Sequence, residues 1–221
     1  MIEETKRQRV LVNFLQDFSG SMEFGWSETA SGFKTFVDTL KAKEDVEYIF
    51  SLTLFSTTTQ KLVVARPVHE VDAHMLKRLK PNGGTALCDA LGDLIIATKK
   101  DSFEADKIVY VVVTDGDENS SRIWTKPAVH SLVDAELSAG KSTFQYLGAQ
   151  PESWSDSLQI GIASHDTVQY DCDNVSAMYA CVGDALNNFS SSKLSATQSM
   201  TSTFASDDLI KAANLKFDPQ P

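Results

Sequence analysis

Short, almost continuous apolar runs alternate in this chain with stretches whose apolar residues recur at helical spacing. Val10-Leu11-Val12-Asn13-Phe14-Leu15 reads as a parallel strand covered on both faces, and it ends in the turn-forming Asp17-Phe18-Ser19-Gly20-Ser21. Phe33, Phe36, Val37 and Leu40 follow at i, i+3, i+4 and i+7, which predicts an amphipathic helix with one stripe against a sheet. Tyr48 to Phe55 and Lys61 to Val68 predict an antiparallel hairpin at the sheet edge, joined by Ser56-Thr57-Thr58-Thr59-Gln60, with Pro67 near its outer end. Val71 to Leu79 predicts a short helix. Lys80-Pro81-Asn82-Gly83-Gly84 stops it before a second amphipathic helix through Leu87, Leu91, Leu94 and Ile95.

Ile108-Val109-Tyr110-Val111-Val112-Val113 is the most β-prone run and the natural central strand; it ends in Thr114-Asp115-Gly116-Asp117-Glu118-Asn119. Pro127 opens a helix carrying Val129, Leu132, Val133 and Leu137, and Thr143 to Leu147 is the next strand. A short helix near Asp156, a strand near Val168 and a helix from Val175 through Met178, Tyr179, Val182, Leu186 and Phe189 complete the pattern. Such alternation predicts an α/β architecture: a Rossmann-like, mostly parallel central sheet with one antiparallel edge strand, flanked by helices.

With 221 residues, the chain has room for one complete core and an extension. The domain is expected over residues 1–189. Residues 190–221 are expected to be a Ser/Thr-rich linker and tail, because ten of the seventeen residues from Ser190 to Ser206 are Ser or Thr. Beyond them Leu209, Ile210, Ala213 and Phe217 form a short apolar stripe.

A net charge of −10 disfavours nucleic acid, since it repels a phosphate backbone. No apolar run approaches the roughly 18 residues of a membrane span. The charged start, Met1 to Arg9, lacks a secretory leader's apolar region, so a cytoplasmic location is expected. Cys88, Cys172 and Cys181 form no Cys-x-x-Cys pair and are read as reduced structural thiols; His69, His74, His130 and His165 lack metal-ligand spacing. A monomer is expected, since no coiled-coil repeat demands assembly.

The candidate chemistry lies where strands end. Asp17, Ser19 and Ser21 stand at i, i+2 and i+4, so an extended loop directs their oxygens to one side. Asp115 ends the predicted central strand, and Thr85 follows a double glycine that permits close loop approach. All can reach the carboxyl edge of the sheet, where open α/β folds bind ligands. Two carboxylates and three hydroxyls are hard donors, suited to Mg²⁺ or Mn²⁺ and less to zinc. The neighbouring Asp117 and Glu118 are read as acids solvating an exposed loop.

Asp17, Ser19 and Ser21, then Thr85, then Asp115 resemble the metal-ion-dependent adhesion site of the von Willebrand factor A domain, whose pattern is Asp-x-Ser-x-Ser, then Thr, then Asp. The resemblance spans about residues 9–189 and is nearest to small stand-alone A-domain proteins of bacteria and their phages, which would place a phage-encoded copy in the host cytoplasm. It implies that Ser19 and Ser21 ligate the metal through their hydroxyls. It implies also that Thr85 ligates directly or through water, and that Asp17 and Asp115 act largely through bound waters. A metal-dependent protein-binding module is thereby implied, in which an acidic residue of a partner protein completes the ion's shell.

Two alternatives compete. A Mg²⁺-dependent phosphohydrolase of the haloacid-dehalogenase type also places an Asp after its first strand, but it needs a second acid where this chain has Ser19. An adaptor subunit of an ATPase or chelatase-like complex is the other. No Gly-x-x-x-x-Gly-Lys phosphate loop occurs, and neither Ser19 nor Ser21 has a sequence-identifiable His partner, so no catalytic residue and no enzymatic activity is expected.

Overall fold

The computed structural model describes residues 7–101, 103–150, 153–170 and 174–192. Six strands form one sheet: β1 (Gln8–Asp17), β2 (Val46–Phe55), β3 (Thr59–Pro67), β4 (Lys107–Thr114), β5 (Ser142–Gly148) and β6 (Thr167–Gln169). Their order is β3-β2-β1-β4-β5-β6. All pairs are parallel except the β2–β3 hairpin, as the sequence pattern predicts.

Five helices accompany the strands among the described residues: α1 (Trp26–Lys41), α2 (Leu87–Lys100), α3 (Lys126–Ser138), α4 (Ser153–Gln159) and α5 (Val175–Ser191). They cover both faces of the sheet. On one face Val10, Val12 and Phe14 of β1 and Val109, Val111 and Val113 of β4 pack with the apolar stripes of α1 and α5. On the other, Leu15, Tyr110 and Val112 pack with those of α2 and α3. Alternate residues of one strand therefore enter different cores, which is why β1 and β4 carry no polar face. Phe14 sits 5.0 Å from Phe36 and 6.0 Å from Tyr179 between ring centroids, so one residue ties the first strand to both α1 and α5. Burying each such ring contributes roughly 1.5–3 kcal/mol.

From β1 the chain crosses toward β2 and β3 on one side, while β4, β5 and β6 extend the sheet on the other. Strand order reverses at the β1–β4 junction, which opens a crevice beyond their carboxyl ends. Gln16 is paired in register with Val113, so Asp17 and Thr114 end at the same level, at the mouth of that crevice.

Two local expectations change. Val71 to Leu79 is not a helix; it holds a 3-10 turn at Met75–Arg78, preceded by another at Val68–Glu70. The Asp72 carboxylate accepts the His74 N–H at 2.9 Å, and the Leu76 carbonyl accepts the Trp26 indole N–H at 3.1 Å. Both are side-chain bonds that compete with a regular helix. The hairpin's second strand begins at Thr59 and bulges at Ala65, whose φ is +45°. Its N–H is taken by Ser51 Oγ at 3.0 Å rather than by a ladder carbonyl.

Buried Lys107 terminates α5, its Nζ donating to the carbonyls of Phe189 at 2.7 Å and Ser192 at 2.8 Å. A cation there satisfies orphan carbonyls at a helix C-terminus. Cys88 and Cys181 are buried thiols, whereas Cys172 lies outside the described residues. So do the predicted linker and tail beyond residue 192. No described helix is long and apolar enough to cross a membrane.

Candidate metal centre

The structure brings the five predicted residues together at the β1–β4 crevice. Asp17, at the end of β1, has no exposed surface. One of its carboxylate oxygens accepts the Ser19 N–H at 2.7 Å, and the other accepts the Thr114 hydroxyl at 2.6 Å. Ser19 and Ser21 share a hydrogen bond of 3.0 Å between their hydroxyls, and Ser21 Oγ donates to Asp115 at 2.6 Å. A Cβ added to Gly116 would lie 3.6 Å from Ser21 Oγ and 3.7 Å from Thr85 Oγ1, so the threonine hydroxyl flanks the same small space.

Backbone contacts fix the three loops to one another. Gly20 N–H donates to the Gly83 carbonyl at 3.0 Å, and Asn82 N–H to the Phe18 carbonyl at 3.0 Å. The Thr85 carbonyl accepts the amides of Asn119 and Ser120 at 3.0 and 3.1 Å, while Asn119 Oδ1 accepts Thr85 N–H at 2.9 Å. Such closeness explains the double glycine: Gly83 has φ +85°, and a Cβ on Gly84 would fall 2.2 Å from Ser120 Oγ.

Glu118 and Asp89 clamp the Asp115 loop to α2, a role the sequence reading missed. Glu118, expected to solvate the loop, instead turns inward: it accepts Cys88 N–H of α2 and Ser121 Oγ, both at 2.7 Å, and the amides of Ser120 and Ser121 at 2.9 and 2.8 Å. It thereby caps a helix whose own N-terminal neighbour, Ala86, supplies no side-chain cap. Asp89, in the first turn of α2, accepts the amides of Arg122, Ile123 and Trp124 at 2.7–2.9 Å. Trp124 in turn lies over Gly92, where a Cβ would come within 2.6 Å of the ring. A helix-start signal sought in adjacent residues cannot reveal a cap that arrives from thirty positions away. Burial and the nearby Glu118 push the Cys88 thiol up to about 12, which leaves it inert as expected of a structural cysteine.

The electrostatics define what the site lacks. Burial pushes the Asp17 carboxyl up to about 6, against the hydrogen bonds from Thr114 and Ser19, and the nearby Asp115 adds to the rise. Burial raises Asp115 as well, partly offset by Ser21. Among the described residues no Lys, Arg or His pairs with either carboxylate. Two acids linked through Ser19 and Ser21, without a cation, fit a divalent ion surrounded by oxygens. Among the described residues no three His, Cys, Asp or Glu side chains are grouped so as to hold a metal ion, so an ion here would need the hydroxyls as well.

No family model and no curated protein matches the sequence, but its structure matches solved ones. A von Willebrand factor type A protein from Catenulispora acidiphila aligns over 82% of this chain and 43% of its own, at 17% identity and TM-score 0.60. The pilus adhesin SpaC of Lactobacillus rhamnosus GG aligns over 83% and 31%, at 15% identity and TM-score 0.66. Proximal thread matrix protein 1 of the mussel byssus, solved with a zinc-occupied MIDAS motif, aligns over 82% and 46%, at 16% identity and TM-score 0.58. The chain spans less than half the length of each of these proteins.

These neighbours overturn the cytoplasmic expectation, because a byssal thread matrix protein and a pilus adhesin point to an extracellular setting. Sheet order, helix placement and these alignments agree that the chain has the von Willebrand factor A fold.

Proposed function

We propose that this chain is a metal-dependent protein-binding module. Ser19, Ser21 and Thr85 supply hydroxyl oxygens to a Mg²⁺ or Mn²⁺ ion, Asp17 and Asp115 hold it largely through water, and an Asp or Glu of a partner protein completes its shell. The observation that carries this reading is the convergence of five oxygen-bearing side chains, two of them carboxylates without a cation, at the β1–β4 crevice. Both Asp17 oxygens already accept hydrogen bonds, which favours an outer, water-linked role for that residue. Few direct carboxylates leave the ion with net positive charge, so it attracts a carboxylate from outside. Without the ion, Asp17 and Asp115 repel the same group, and binding becomes conditional on metal.

The zinc-occupied motif of the byssal protein supports a metal at this place in the fold, and the pilus adhesin supports a binding role. The module is proposed to be non-enzymatic, with Ser19 standing where a phosphohydrolase needs its second acid. The test is affinity capture with the tagged chain in Mg²⁺ or Mn²⁺ and in chelator, with Asp17→Ala alongside. Proteins retained only with metal, and lost with the variant, support the reading. Identical capture in chelator, or turnover of an aryl phosphate that Asp17→Ala abolishes, contradicts it.

A further inference from the structure

We propose that the surface beside the metal centre, formed by Lys77, Arg78 and Lys80 with Phe24, recognises an acidic protein segment bearing an apolar side chain. The inference rests on the metal-dependent reading above and adds the character of the partner. Charge is the first observation. In a chain of net charge −10, residues 61–80 carry five bases, Lys61, Arg66, Lys77, Arg78 and Lys80, against two acids, Glu70 and Asp72. Lys77, Arg78 and Lys80 are exposed and make no ion pair among the described residues.

Position is the second observation. Asn82, two residues after Lys80, donates its N–H to Phe18, and Gly83 accepts from Gly20, which lies between Ser19 and Ser21. At about 3.8 Å per residue, the Lys80 backbone is within roughly 11 Å of Gly83, so Lys80 belongs to the loop that packs against the Ser19–Ser21 segment. Trp26 binds the turn to the other flank: its indole donates to the Leu76 carbonyl, next to Lys77, and its ring stands 5.1 Å from Phe18. Phe24 is two residues from Trp26 and three from Ser21, and it is 98% exposed. A fully exposed phenylalanine at that position is available to cover an apolar side chain of the partner. These contacts place three exposed bases and an exposed aromatic ring on the segments that flank the proposed divalent site.

An acidic peptide fits better than a nucleic acid, because the rest of the chain repels an extended polyanion while a short segment senses only local charge. One carboxylate of that segment engages the ion. Its neighbouring acids lie against Lys77, Arg78 and Lys80, and its apolar side chain covers Phe24.

The full chain would be panned against short random peptides displayed on phage, in Mn²⁺ and in chelator, beside Asp17→Ala and the triple variant Lys77→Glu, Arg78→Glu, Lys80→Glu. Mn²⁺ binding by each protein, followed by electron paramagnetic resonance, shows that the triple variant keeps an intact metal centre. The expected result is metal-dependent enrichment of peptides with several acids and an apolar residue. Affinity for them should fall about tenfold in the triple variant at low salt and less at high salt, and should fall also in Phe24→Ala. Metal-dependent selection of a lone acid, unchanged in the triple variant, overturns this inference and leaves the proposed function standing. Absence of any metal-dependent selection overturns both. Capture of a single-stranded oligonucleotide or heparin in chelator, lost in the triple variant, overturns it in favour of a polyanion site.

Discussion

Replacing Asp17 by Asn should stabilise the metal-free protein and abolish its response to metal. Asn has nearly the shape of a protonated Asp, and both hydrogen bonds survive: its carbonyl accepts the Ser19 N–H, while its amide donates to Thr114 Oγ1. The Thr114 hydroxyl proton then turns to the Gly116 carbonyl, 3.0 Å away. What disappears is a buried charge. Its carboxyl sits at about 6 in the folded chain against the ordinary 3.8. At about 1.36 kcal/mol per unit, the ionised side chain costs the metal-free fold up to about 3 kcal/mol at neutral pH.

The sign follows from proton linkage. Because the folded-state value is raised, the native chain takes up a proton before the unfolded chain as pH falls. The penalty is therefore complete above pH 6 and relieved between 6 and 3.8. In chelator at pH 7.5, Asp17→Asn should melt several degrees above the parent, at roughly 2–4 °C per kcal/mol for a chain of this size. At pH 4 the two should melt together. Adding Mg²⁺ or Mn²⁺ at pH 7.5 should reverse the order at saturation, since a ligand at a thousand times its dissociation constant gives the parent about 4.1 kcal/mol and the variant nothing. Differential scanning calorimetry of both proteins in the three conditions is sufficient. A variant less stable than the parent in chelator at pH 7.5, or a gain that persists at pH 4, refutes the argument that Asp17 is an uncompensated buried charge.

The parts of the molecule legible in the sequence were those written in local periodicity. Val10 to Leu15 and Ile108 to Val113 announce strands buried on both faces, and the chain ends them at Asp17 and Thr114 because a parallel sheet needs loops there. The oxygen pattern of Asp17, Ser19 and Ser21 was readable for the same reason. Contacts made between distant loops were not. Glu118 capping α2, Asp89 collecting three amides and Thr114 bracing Asp17 have no period and no adjacent signal. The segment from Val71 to Leu79 has helical spacing, yet Asp72 and Trp26 hold it in turns. Location failed for a different cause: it was inferred from the charged start, Met1 to Arg9, and not from the packing or chemistry of the fold.

Two further substitutions test the framework. Gly92→Ala places a Cβ 2.6 Å from the Trp124 ring, so it should cost on the order of 1–3 kcal/mol by overpacking and weaken Mn²⁺ binding by loosening the Asp115 loop; chemical denaturation with and without Mn²⁺ measures both. Gln145 is fully buried on β5, and neither its amide nitrogen nor its oxygen has a hydrogen-bond partner among the described residues. Gln145→Met keeps the volume and removes that cost, so stability should rise by about 1–2 kcal/mol with metal affinity unchanged, and a loss of stability on urea unfolding would show that the carboxamide is satisfied.

The most direct test of the central claim is a crystal structure of the chain grown with Mn²⁺, with anomalous differences collected at the manganese edge. One peak within coordination distance of the Ser19 and Ser21 hydroxyls, bordered by Thr85, Asp17 and Asp115, is the predicted result. A well-ordered crevice without a peak at saturating Mn²⁺, or a peak on other residues alone, would contradict it.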